Sequence, residues 1–238
     1  MPTIDGSVVL VTGANGGIGT QLVHAALERS AARVYASARS PRSWDDPRVV
    51  PLPLDVTDPA SIRAAVEAAA DVTILVNNAG ANPPTPSLLD ISDEDLRANM
   101  EVNFFAPVLL TRAFAPVLSA AEGAALIDIH SALSWYAVAG AYSASKAALW
   151  SATNSFRLEL APAGVHVVGV HVGYVDTAMA AGVTDPKTDP AVLAALILDA
   201  TEAGEHEVLA DATSVQVRAG LSAPLEVLYP QLAARSAD

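Results

Sequence analysis

The residues best suited to chemistry are a tyrosine and a lysine four positions apart, in the stretch Tyr142-Ser143-Ala144-Ser145-Lys146. On a helix this spacing places both side chains on one face, about one turn apart. An ammonium beside a phenol favours the phenolate, so we expect the pKa of Tyr142 to fall from its reference value of about 10. A phenol tuned in this way can act as a general acid or base near neutral pH.

The ordinary alternative is a tyrosine packed on a helix beside a solvated lysine. The composition favours the chemical interpretation, because the chain has two lysines, Lys146 and Lys187, against eleven arginines. Arginine can supply charge on an ordinary surface, but its planar guanidinium does not easily replace a compact ammonium beneath a ligand. We therefore interpret the pair as a proton-transfer site.

The composition excludes several other kinds of site and partner. The 238-residue chain contains no cysteine, which excludes disulfides, thiolate catalysis and cysteine-ligated zinc. Its five histidines show no metal-binding spacing such as H-E-x-x-H, so no metal site is predicted. A formal net charge of −13 argues against nucleic acid and anionic membranes as partners.

Export and membrane insertion are not expected either. Met1–Gly6 lacks a basic region, and the apolar run Val8–Val11 is too short for a signal peptide. Arg112 and Glu122 interrupt the best candidate for a membrane helix, which would need about 20 apolar residues. We therefore expect no membrane contact and a cytoplasmic location.

The elements that would position the Tyr142–Lys146 pair alternate between strands and helices. Short apolar, β-branched runs indicate strands, and Ala/Leu-rich segments with capping signals indicate helices. Strands are predicted at 7–12, 33–38, 49–54, 72–76, 124–130, 165–172 and 207–211, and helices at 17–30, 58–70, 93–119, 142–160 and 190–203. Kinks are expected at Pro107 and Pro116, and a mobile segment at 178–189. With no long linker or repeat, the pattern predicts one α/β domain over 1–238: a doubly wound, Rossmann-type parallel sheet with helices on both faces.

A glycine-rich turn follows the first predicted strand, in Gly13-Ala14-Asn15-Gly16-Gly17-Ile18-Gly19. Such glycines let the backbone approach a pyrophosphate, and free N–H groups at the start of the next helix face the anion. The alternative is a tight structural turn, but the strand before it and the helix after it are the context of a phosphate-binding turn. The turn therefore predicts a dinucleotide site.

The end of the second strand favours NADP over NAD. An acidic residue about 20 positions past the glycine turn would bind the 2′-hydroxyl of an NAD ribose. The sequence has Ala38 and then Arg39 in that region, and Arg42 follows shortly after. A guanidinium suits a 2′-phosphate. The alternative is an ordinary surface arginine, so NADP(H) is the expected cofactor and NAD(H) stays open.

Small and polar residues follow several of the predicted strands. The glycine turn, Asn78-Ala79-Gly80, Ser131 and Thr177 each come just after a strand. The carboxyl ends of parallel strands share one edge of the sheet, which is where doubly wound sheets bind ligands. We expect these residues to gather at that edge.

Taken together, these motifs resemble those of the short-chain dehydrogenase/reductase family, in its compact single-domain branch. The resemblance follows the family's order and covers nearly the whole chain, through Thr12–Gly19, Asn77–Gly80, Asn103, Ser131, Tyr142/Lys146 and Gly173–Thr177. It implies an oxidoreductase in which a hydride moves between a nicotinamide and a carbonyl carbon while a proton moves between Tyr142 and the carbonyl oxygen.

The resemblance also implies a role for each matching residue. Tyr142 would be the general acid/base, Ser131 would orient the substrate oxygen, and Asn103 would support a proton-relaying water. Lys146 would hold the nicotinamide ribose and lower the Tyr142 pKa, which a cationic nicotinamide would lower further. The other cofactor contacts would be the glycine turn at the pyrophosphate, Asp55 and Val56 at the adenine, Asn78, Ala79 and Gly80 at the ribose side, and Val175 and Thr177 at the carboxamide.

Several of these roles have a structural alternative. Ser134 is a rival of Ser131, which is preferred because it ends the strand. Asn103 could be a core amide bonded to backbone, Thr177 an ordinary helix cap, and Asp55 a cap of the following turn.

The chain departs from the family pattern in four places. Val172 stands where the family usually has proline, Asp128 where many members have asparagine, and Gly16 where many NADP-dependent members carry a basic residue. The eleven-residue step from Ser131 to Tyr142 is short for the family, which implies an altered pocket in the region of about 131–190. The expected substrate contacts are Ser131, Trp135, Tyr136, Tyr142 and Tyr174.

The favoured function is an NADP(H)-dependent carbonyl reductase or alcohol dehydrogenase acting on a small uncharged ketone, aldehyde or alcohol. One alternative is a non-catalytic NADP-binding sensor or scaffold of the same fold. Another is reduction of a thioester-linked 3-oxoacyl chain, which the acidic surface does not favour. Helices 93–119 and 143–160 are apolar on more than one face, which predicts a homodimer or homotetramer.

Overall fold

A computed structural model describes residues 1–233 of the 238-residue chain. The strands are β1 (Val8–Thr12), β2 (Arg33–Ala38), β3 (Val49–Pro53), β4 (Ile74–Asn77), β5 (Ala125–Ile129), β6 (His166–His171) and β7 (Glu207–Leu209). They form one parallel sheet in the order β3-β2-β1-β4-β5-β6-β7. From β1 the chain adds β2 and β3 on one side, and then β4 to β7 on the other side of β1. The order therefore switches between β1 and β4, and the predicted doubly wound sheet is confirmed.

Helices follow most strands and cover both faces of the sheet. They are α1 (Gly17–Glu28), α2 (Pro59–Ala68), α3 (Asp93–Met100), α4 (Ala106–Ala120), α5 (Gly140–Leu160), α6 (Pro190–Ala203), α7 (Ala212–Gly220), α8 (Leu225–Leu228) and α9 (Pro230–Ala233). Short 3₁₀ turns lie at Ala132–Ser134, Ala161–Ala163 and Ala178–Ala180.

The sheet separates two apolar cores. Side chains alternate along a strand, so Val9 and Val11 enter the core beneath α1 and α6 while Leu10 enters the core beneath α2, α4 and α5. Both faces of each inner strand are therefore buried. This explains why the strands read as continuous apolar runs rather than as alternating ones.

The long helix predicted at 93–119 is interrupted by a π-helical turn at Glu101–Phe105, between α3 and α4. Pro107, where a kink was expected, lies just beyond this turn. Proline has no N–H to donate to the carbonyl of Asn103, four residues earlier, and this favours a wider turn there. Asn103 lies inside the π turn.

The segment 178–189 begins with a 3₁₀ turn and is anchored at its far end. There Thr188 donates to the Tyr174 carbonyl at 2.8 Å, and the Asp176 N–H donates to the Thr188 carbonyl at 3.0 Å. The mobility expected of this segment stays a prediction.

One helical stretch, Asp93–Ala120, is long and apolar enough to cross a membrane by length and composition. A core helix of a soluble protein passes the same test. Leu110, Phe114 and Leu118 of this stretch pack into the core beside the sheet. The stretch is weak evidence for a membrane contact, and the expectation of none stays a prediction.

Candidate active site

The predicted catalytic residues lie together at the carboxyl end of β5. Lys146, on α5, donates to the carbonyl of Ile129, the last residue of β5, at 2.7 Å. Asn103 donates to the Ser145 hydroxyl, also on α5, at 3.2 Å. Ser131 lies two residues past Ile129 and interacts with the Tyr142 phenol. The four residues come from the turn after β5, from α5 and from the π turn, and the π turn lies about 30 residues or more from the others along the chain.

Lys146 is buried, with 4% of its surface exposed. Burial lowers its pKa to about 8, and the nearby charge of Asp128 acts in the opposite direction. The side chain is therefore still an ammonium at neutral pH. One of the three N–H groups of the Lys146 ammonium donates to Ile129. Within residues 1–233 no acceptor is found for the other two, so they are available to a ligand.

Tyr142 is half-buried, and its phenol has a raised pKa. Burial raises the pKa to about 12, and hydrogen bonding with the Ser131 hydroxyl offsets only part of this effect. The expectation that the Tyr142 pKa falls below its reference value is therefore wrong. Removing a phenolate from water is the larger effect, and the Lys146 ammonium lies 5.8 Å from the centroid of the Tyr142 ring.

Ser131 caps the 3₁₀ turn that follows β5. Its hydroxyl accepts the Leu133 N–H at 3.1 Å and donates to the Val172 carbonyl at 3.3 Å. The rival residue, Ser134, uses its hydroxyl to accept the Ser131 N–H at 3.4 Å. Ser134 thus supports the turn, while Ser131 is the serine that reaches Tyr142.

Asn103 holds the loop after β4 through both atoms of its amide. Its Oδ1 accepts the Ala81 N–H at 2.9 Å, and its Nδ2 donates to the Ala81 carbonyl at 2.9 Å. This is the backbone-bonded arrangement considered as the alternative. A Cβ built on Gly80 would lie 3.3 Å from Asn103 Oδ1 and 3.8 Å from Lys146 Nζ, so Asn103 and Lys146 converge on the glycine.

The glycine turn fits an anion. Within residues 1–233, no hydrogen-bond acceptor is found for the N–H groups of Gly17, Ile18 and Gly19 at the start of α1. Unpaired N–H groups at a helix N-terminus suit a phosphate. Gly13 has a φ of 67°, and a Cβ on Gly19 would lie 2.4 Å from the Gly13 carbonyl oxygen. The turn can close this tightly only because these residues are glycines.

The loop after β2 lies beside the glycine turn and is tied to it by Asn15. The Asn15 side chain donates to the Ser40 carbonyl at 2.8 Å and accepts the Arg42 N–H at 3.2 Å. Arg39 is exposed, and among the described residues no carboxylate lies within salt-bridge distance of it. The Arg42 guanidinium stacks on Trp44, 4.0 Å from the ring centroid.

Asp55 follows the alternative considered from the sequence, as a cap of the turn after β3. One of its carboxylate oxygens accepts the N–H of Thr57 at 3.0 Å and the Thr57 hydroxyl at 2.7 Å. These bonds, with a smaller effect of Arg39, hold its pKa below the ordinary value. Val56 is half-buried beside it.

Thr12 lies in a motif that resembles the family, but no role was predicted for it from the sequence. Its hydroxyl accepts the N–H groups of Asn78 at 2.9 Å and Ala79 at 3.0 Å. Asn78 in turn donates to the Thr12 carbonyl at 2.8 Å. Thr12 therefore joins the end of β1 to the ribose-side loop. Its polar side chain at the end of an apolar strand was the available signal.

A family model described as short chain dehydrogenase matches residues 7–188. The chain belongs to the short-chain dehydrogenase family. A short-chain dehydrogenase of Burkholderia cenocepacia in complex with NADP is 39% identical, with a TM-score of 0.90 over 97% of this chain and 98% of that one.

Two curated relatives each match 71% of this chain. A short-chain dehydrogenase of Penicillium crustosum is 39% identical over 71% of this chain and 66% of its own length. An NADPH-dependent 1-acyldihydroxyacetone phosphate reductase of Schizosaccharomyces pombe is 36% identical over 71% of this chain and 60% of its own length. The chain thus spans less than two thirds of the length of these relatives.

The aromatic residues that were predicted to contact the substrate differ in how exposed they are. Trp135 is only 6% exposed, and its ring stacks on His171 at 3.6 Å. Trp135 is thus packed into the protein beside the turn after β5, and its contact with substrate stays a prediction. Tyr136 is half-buried and stacks on Tyr229 at 5.4 Å between centroids, whereas Tyr174 is 44% exposed. Their contacts with substrate also stay predictions.

The loop after β6 meets the glycine turn. A Cβ on Gly17 would lie 2.3 Å from Thr177 Cγ2, so the two segments are in direct contact. Val175 is buried, and Thr177 precedes the 178–180 turn without making the side-chain hydrogen bond of a cap. The alternative of Thr177 as an ordinary helix cap is therefore not supported.

Proposed function

We propose that this chain is an NADP(H)-dependent oxidoreductase of the carbonyl reductase or alcohol dehydrogenase type, with Tyr142 as general acid/base. The observation that carries the proposal is the meeting of the Ser131 hydroxyl and the Tyr142 phenol beside Lys146, at the edge of the sheet that also carries the glycine turn. A pair of hydroxyl groups of this kind suits the oxygen of a carbonyl or an alcohol.

The side chains suit the reductive direction. The bound cofactor supplies a hydride to the carbonyl carbon. With a pKa of about 12, Tyr142 is protonated at neutral pH and can donate to the carbonyl oxygen. Ser131 orients that oxygen by a hydrogen bond, and the ammonium of Lys146 stabilises the phenolate that remains. Alcohol oxidation would first require the loss of the phenol proton.

The cofactor would lie along the carboxyl edge of the sheet. Free N–H groups of Gly17, Ile18 and Gly19 would hold its pyrophosphate. The remaining two N–H donors of Lys146 would hold the nicotinamide ribose. The other contacts would come from Asn78, Ala79, Gly80, Val175 and Thr177.

The catalytic proposal is tested with NADPH and a panel of carbonyl compounds. The panel should include ketones, aldehydes, a 3-oxoacyl thioester and a 1-acyldihydroxyacetone phosphate. Tyr142→Phe should lower turnover by about 10²-fold or more while NADPH still binds, because only the proton donor is lost. Loss of nicotinamide absorbance measures turnover, and a thermal shift with NADPH measures binding.

Full activity of Tyr142→Phe would end this mechanism. Tight NADPH binding by the unaltered chain with no turnover of any carbonyl class would instead favour the non-catalytic sensor or scaffold. The thermal shift separates these outcomes from a chain that has not folded.

The preference for NADP is proposed from Arg39. Its exposed guanidinium lies past the end of β2, and the turn that follows is fixed by Asn15. The NADPH dependence in the name of the Schizosaccharomyces pombe relative and the NADP in the Burkholderia cenocepacia structure support the same cofactor.

Arg39→Ala should therefore raise the KM for NADPH about tenfold or more and leave the KM for NADH unchanged. A lost charge-assisted contact with a phosphate accounts for a loss of this size. Arg63→Ala removes another exposed arginine, on α2, and serves as the control. An equal effect of Arg39→Ala on both cofactors would contradict the assignment.

A further inference from the structure

A column of stacked planar groups lies behind Ser131. His130, after β5, stacks on His171, at the end of β6, with ring centroids 4.8 Å apart and planes 16° apart. His171 stacks in turn on Trp135 at 3.6 Å and 16°. The Arg218 guanidinium of α7 lies 5.3 Å from the Trp135 ring centroid. We call these four side chains the imidazole–indole column.

Within this column, His171 is the residue that contacts Ser131. Its Nδ1 lies 3.2 Å from the Ser131 carbonyl oxygen. A carbonyl oxygen only accepts hydrogen bonds, so Nδ1 must carry the proton. The Nε2 atom has no hydrogen-bond partner among the described residues, and the nearest carboxylate oxygen, Glu207 Oε1, is 3.8 Å away. Burial lowers the pKa of His171 to about 4, so the ring is neutral at neutral pH.

The contact fixes the peptide group between Ser131 and Ala132. His171 holds its carbonyl oxygen, and the N–H of the same peptide, that of Ala132, donates to the Val172 carbonyl at 2.9 Å. Both ends of the peptide are therefore anchored to the end of β6. Its plane sets the backbone torsion of Ser131, and with it the position from which the hydroxyl reaches Tyr142.

Packing alone does not explain a histidine at this position. The ring is completely buried, and its unpaired Nε2 carries a desolvation cost that an apolar ring would avoid. The only hydrogen bond that the described structure gives this side chain is the one to Ser131. His130 makes a useful contrast, because it is equally buried and neither of its ring nitrogens has a partner.

We propose that His171 is a positioning residue for the reaction: its Nδ1–H orients Ser131, and its ring holds Trp135 and the 132–135 turn in place. The proposal rests on the proposed function, in which Ser131 orients the substrate oxygen. It assigns no contact between His171 and the substrate or the cofactor.

Three substitutions separate the hydrogen bond from the stacking. His171→Phe keeps a stacked ring and removes the donor, whereas His171→Asn keeps a side-chain N–H close to the position of Nδ1 and removes most of the stacking. His130→Phe alters the same column without removing a side-chain hydrogen bond to Ser131. We expect kcat to fall about tenfold in His171→Phe, less in His171→Asn, and less than about twofold in His130→Phe, with the KM for NADPH unchanged in all three.

A double-mutant cycle with Ser131→Ala distinguishes positioning from general destabilisation. If His171 acts through Ser131, His171→Phe should have no further effect on kcat in the Ser131→Ala background. An equal tenfold loss in both backgrounds would overturn the proposal. So would an unchanged kcat in His171→Phe, or a loss in His130→Phe as large as that in His171→Phe.

An NMR measurement that does not depend on turnover tests the contact between His171 and Ser131 independently of the proposed function. The ¹⁵N and ¹H shifts of the imidazole rings report which nitrogen carries the proton, and the His171→Asn spectrum assigns the signal. The proposal requires the Nδ1–H tautomer for His171, and an Nε2–H tautomer would overturn it. This test holds even if His171→Phe fails to fold. Failure of the unaltered chain to reduce any carbonyl would refute the proposed function, while the tautomer would still decide the contact with Ser131.

Discussion

At the scale of single residues, the pKa values of Tyr142 and Lys146 indicate that the lysine determines how kcat depends on pH near neutrality. Burial raises the pKa of Tyr142 to about 12 and lowers that of Lys146 to about 8. Tyr142 therefore remains able to donate a proton throughout the mildly alkaline range. Lys146 loses its charge as the pH rises through about 8. Because the ammonium stabilises the phenolate formed on proton transfer, we expect kcat for carbonyl reduction to fall above that pH.

Asp128 provides the test of this prediction. Its buried carboxyl group contacts the Thr153 hydroxyl at 2.6 Å and the Asn77 amide at 2.8 Å, and its charge raises the Lys146 pKa. Asp128→Asn keeps the shape and removes the charge, so the Lys146 pKa should fall further. The alkaline limb of the kcat profile should then move to lower pH by about one unit.

The measurement is kcat against pH on both sides of the limb. Asp5→Asn, which removes an exposed carboxylate near the N-terminus, is the control and should leave the limb in place. Burial also raises the pKa of Asp128 itself. A limb that does not move in Asp128→Asn would therefore mean that Asp128 is uncharged and does not act on Lys146.

Residue types could be predicted from the sequence more readily than their environments. The spacing and order of motifs led to Ser131, Tyr142 and Lys146 as a set, and the structure brings them together. The direction of the Tyr142 pKa shift was wrong, and the packing of Trp135 against His171 and Arg218 was not predicted. Both depend on burial, and for Trp135 the covering groups come from β6 and α7, which are distant in sequence. His171 has no spacing signal at all.

At the scale of elements, the start of α1 is shaped by the loop after β6. A Cβ on Gly17 would lie 2.3 Å from Thr177 Cγ2, too close for any side chain. Gly16, its neighbour, has open space around the same position and a φ of −120°. The two adjacent glycines therefore face different constraints.

Gly17→Ala should force α1 and the Thr177 loop apart. We expect a loss of about 1–3 kcal/mol in the free energy of unfolding, typical of overpacking, and at least a tenfold loss of NADPH affinity. Denaturant unfolding and NADPH fluorescence titration measure the two effects. Gly16→Ala is the matched control and should leave both within error. Equal effects of the two substitutions would show that contact with Thr177 is not the constraint.

Most elements could be predicted because their signals are local. The apolar, β-branched runs gave each strand to within a few residues, and the capping residue Asp58 marked the start of α2, where its side chain accepts the Ala60 N–H. The π turn around Asn103 and the helices α7, α8 and α9 were not predicted. Pro107 predicted a kink at this place, but the contacts of Asn103 with Ala81 and Ser145 that accompany the π turn join residues distant in sequence, and the last helices are short.

At the scale of the whole molecule, the order of the strands assembles the site. The parallel sheet places the ends of β1, β4, β5 and β6 side by side, so stretches spread over more than 160 positions meet at one edge. This could be predicted, because alternating strands and helices without linkers leave few other topologies. The outer faces of the helices could not be assigned a partner in the same way.

One such outer face predicts self-association. A cavity of about 510 Å³ opens on α3 and the π turn, lined by Asp93, Leu96, Arg97, Met100, Glu101 and Phe105. Phe105 is 45% exposed, and Leu158 on α5 is 78% exposed. Large apolar side chains left in water on neighbouring helices are typical of an interface. We predict that a second copy of the chain covers this face, in a homodimer or homotetramer.

Phe105→Glu should weaken this association at least tenfold, because it places a charge in an apolar interface of a chain that already carries a net charge of −13. Val192→Glu is the matched control: it adds the same charge at a 62% exposed apolar residue on α6. Sedimentation velocity at micromolar concentration should show an oligomer for the unaltered chain and for Val192→Glu, and smaller species for Phe105→Glu. If the unaltered chain sediments as a monomer, or if both glutamate variants dissociate alike, this face is not the interface.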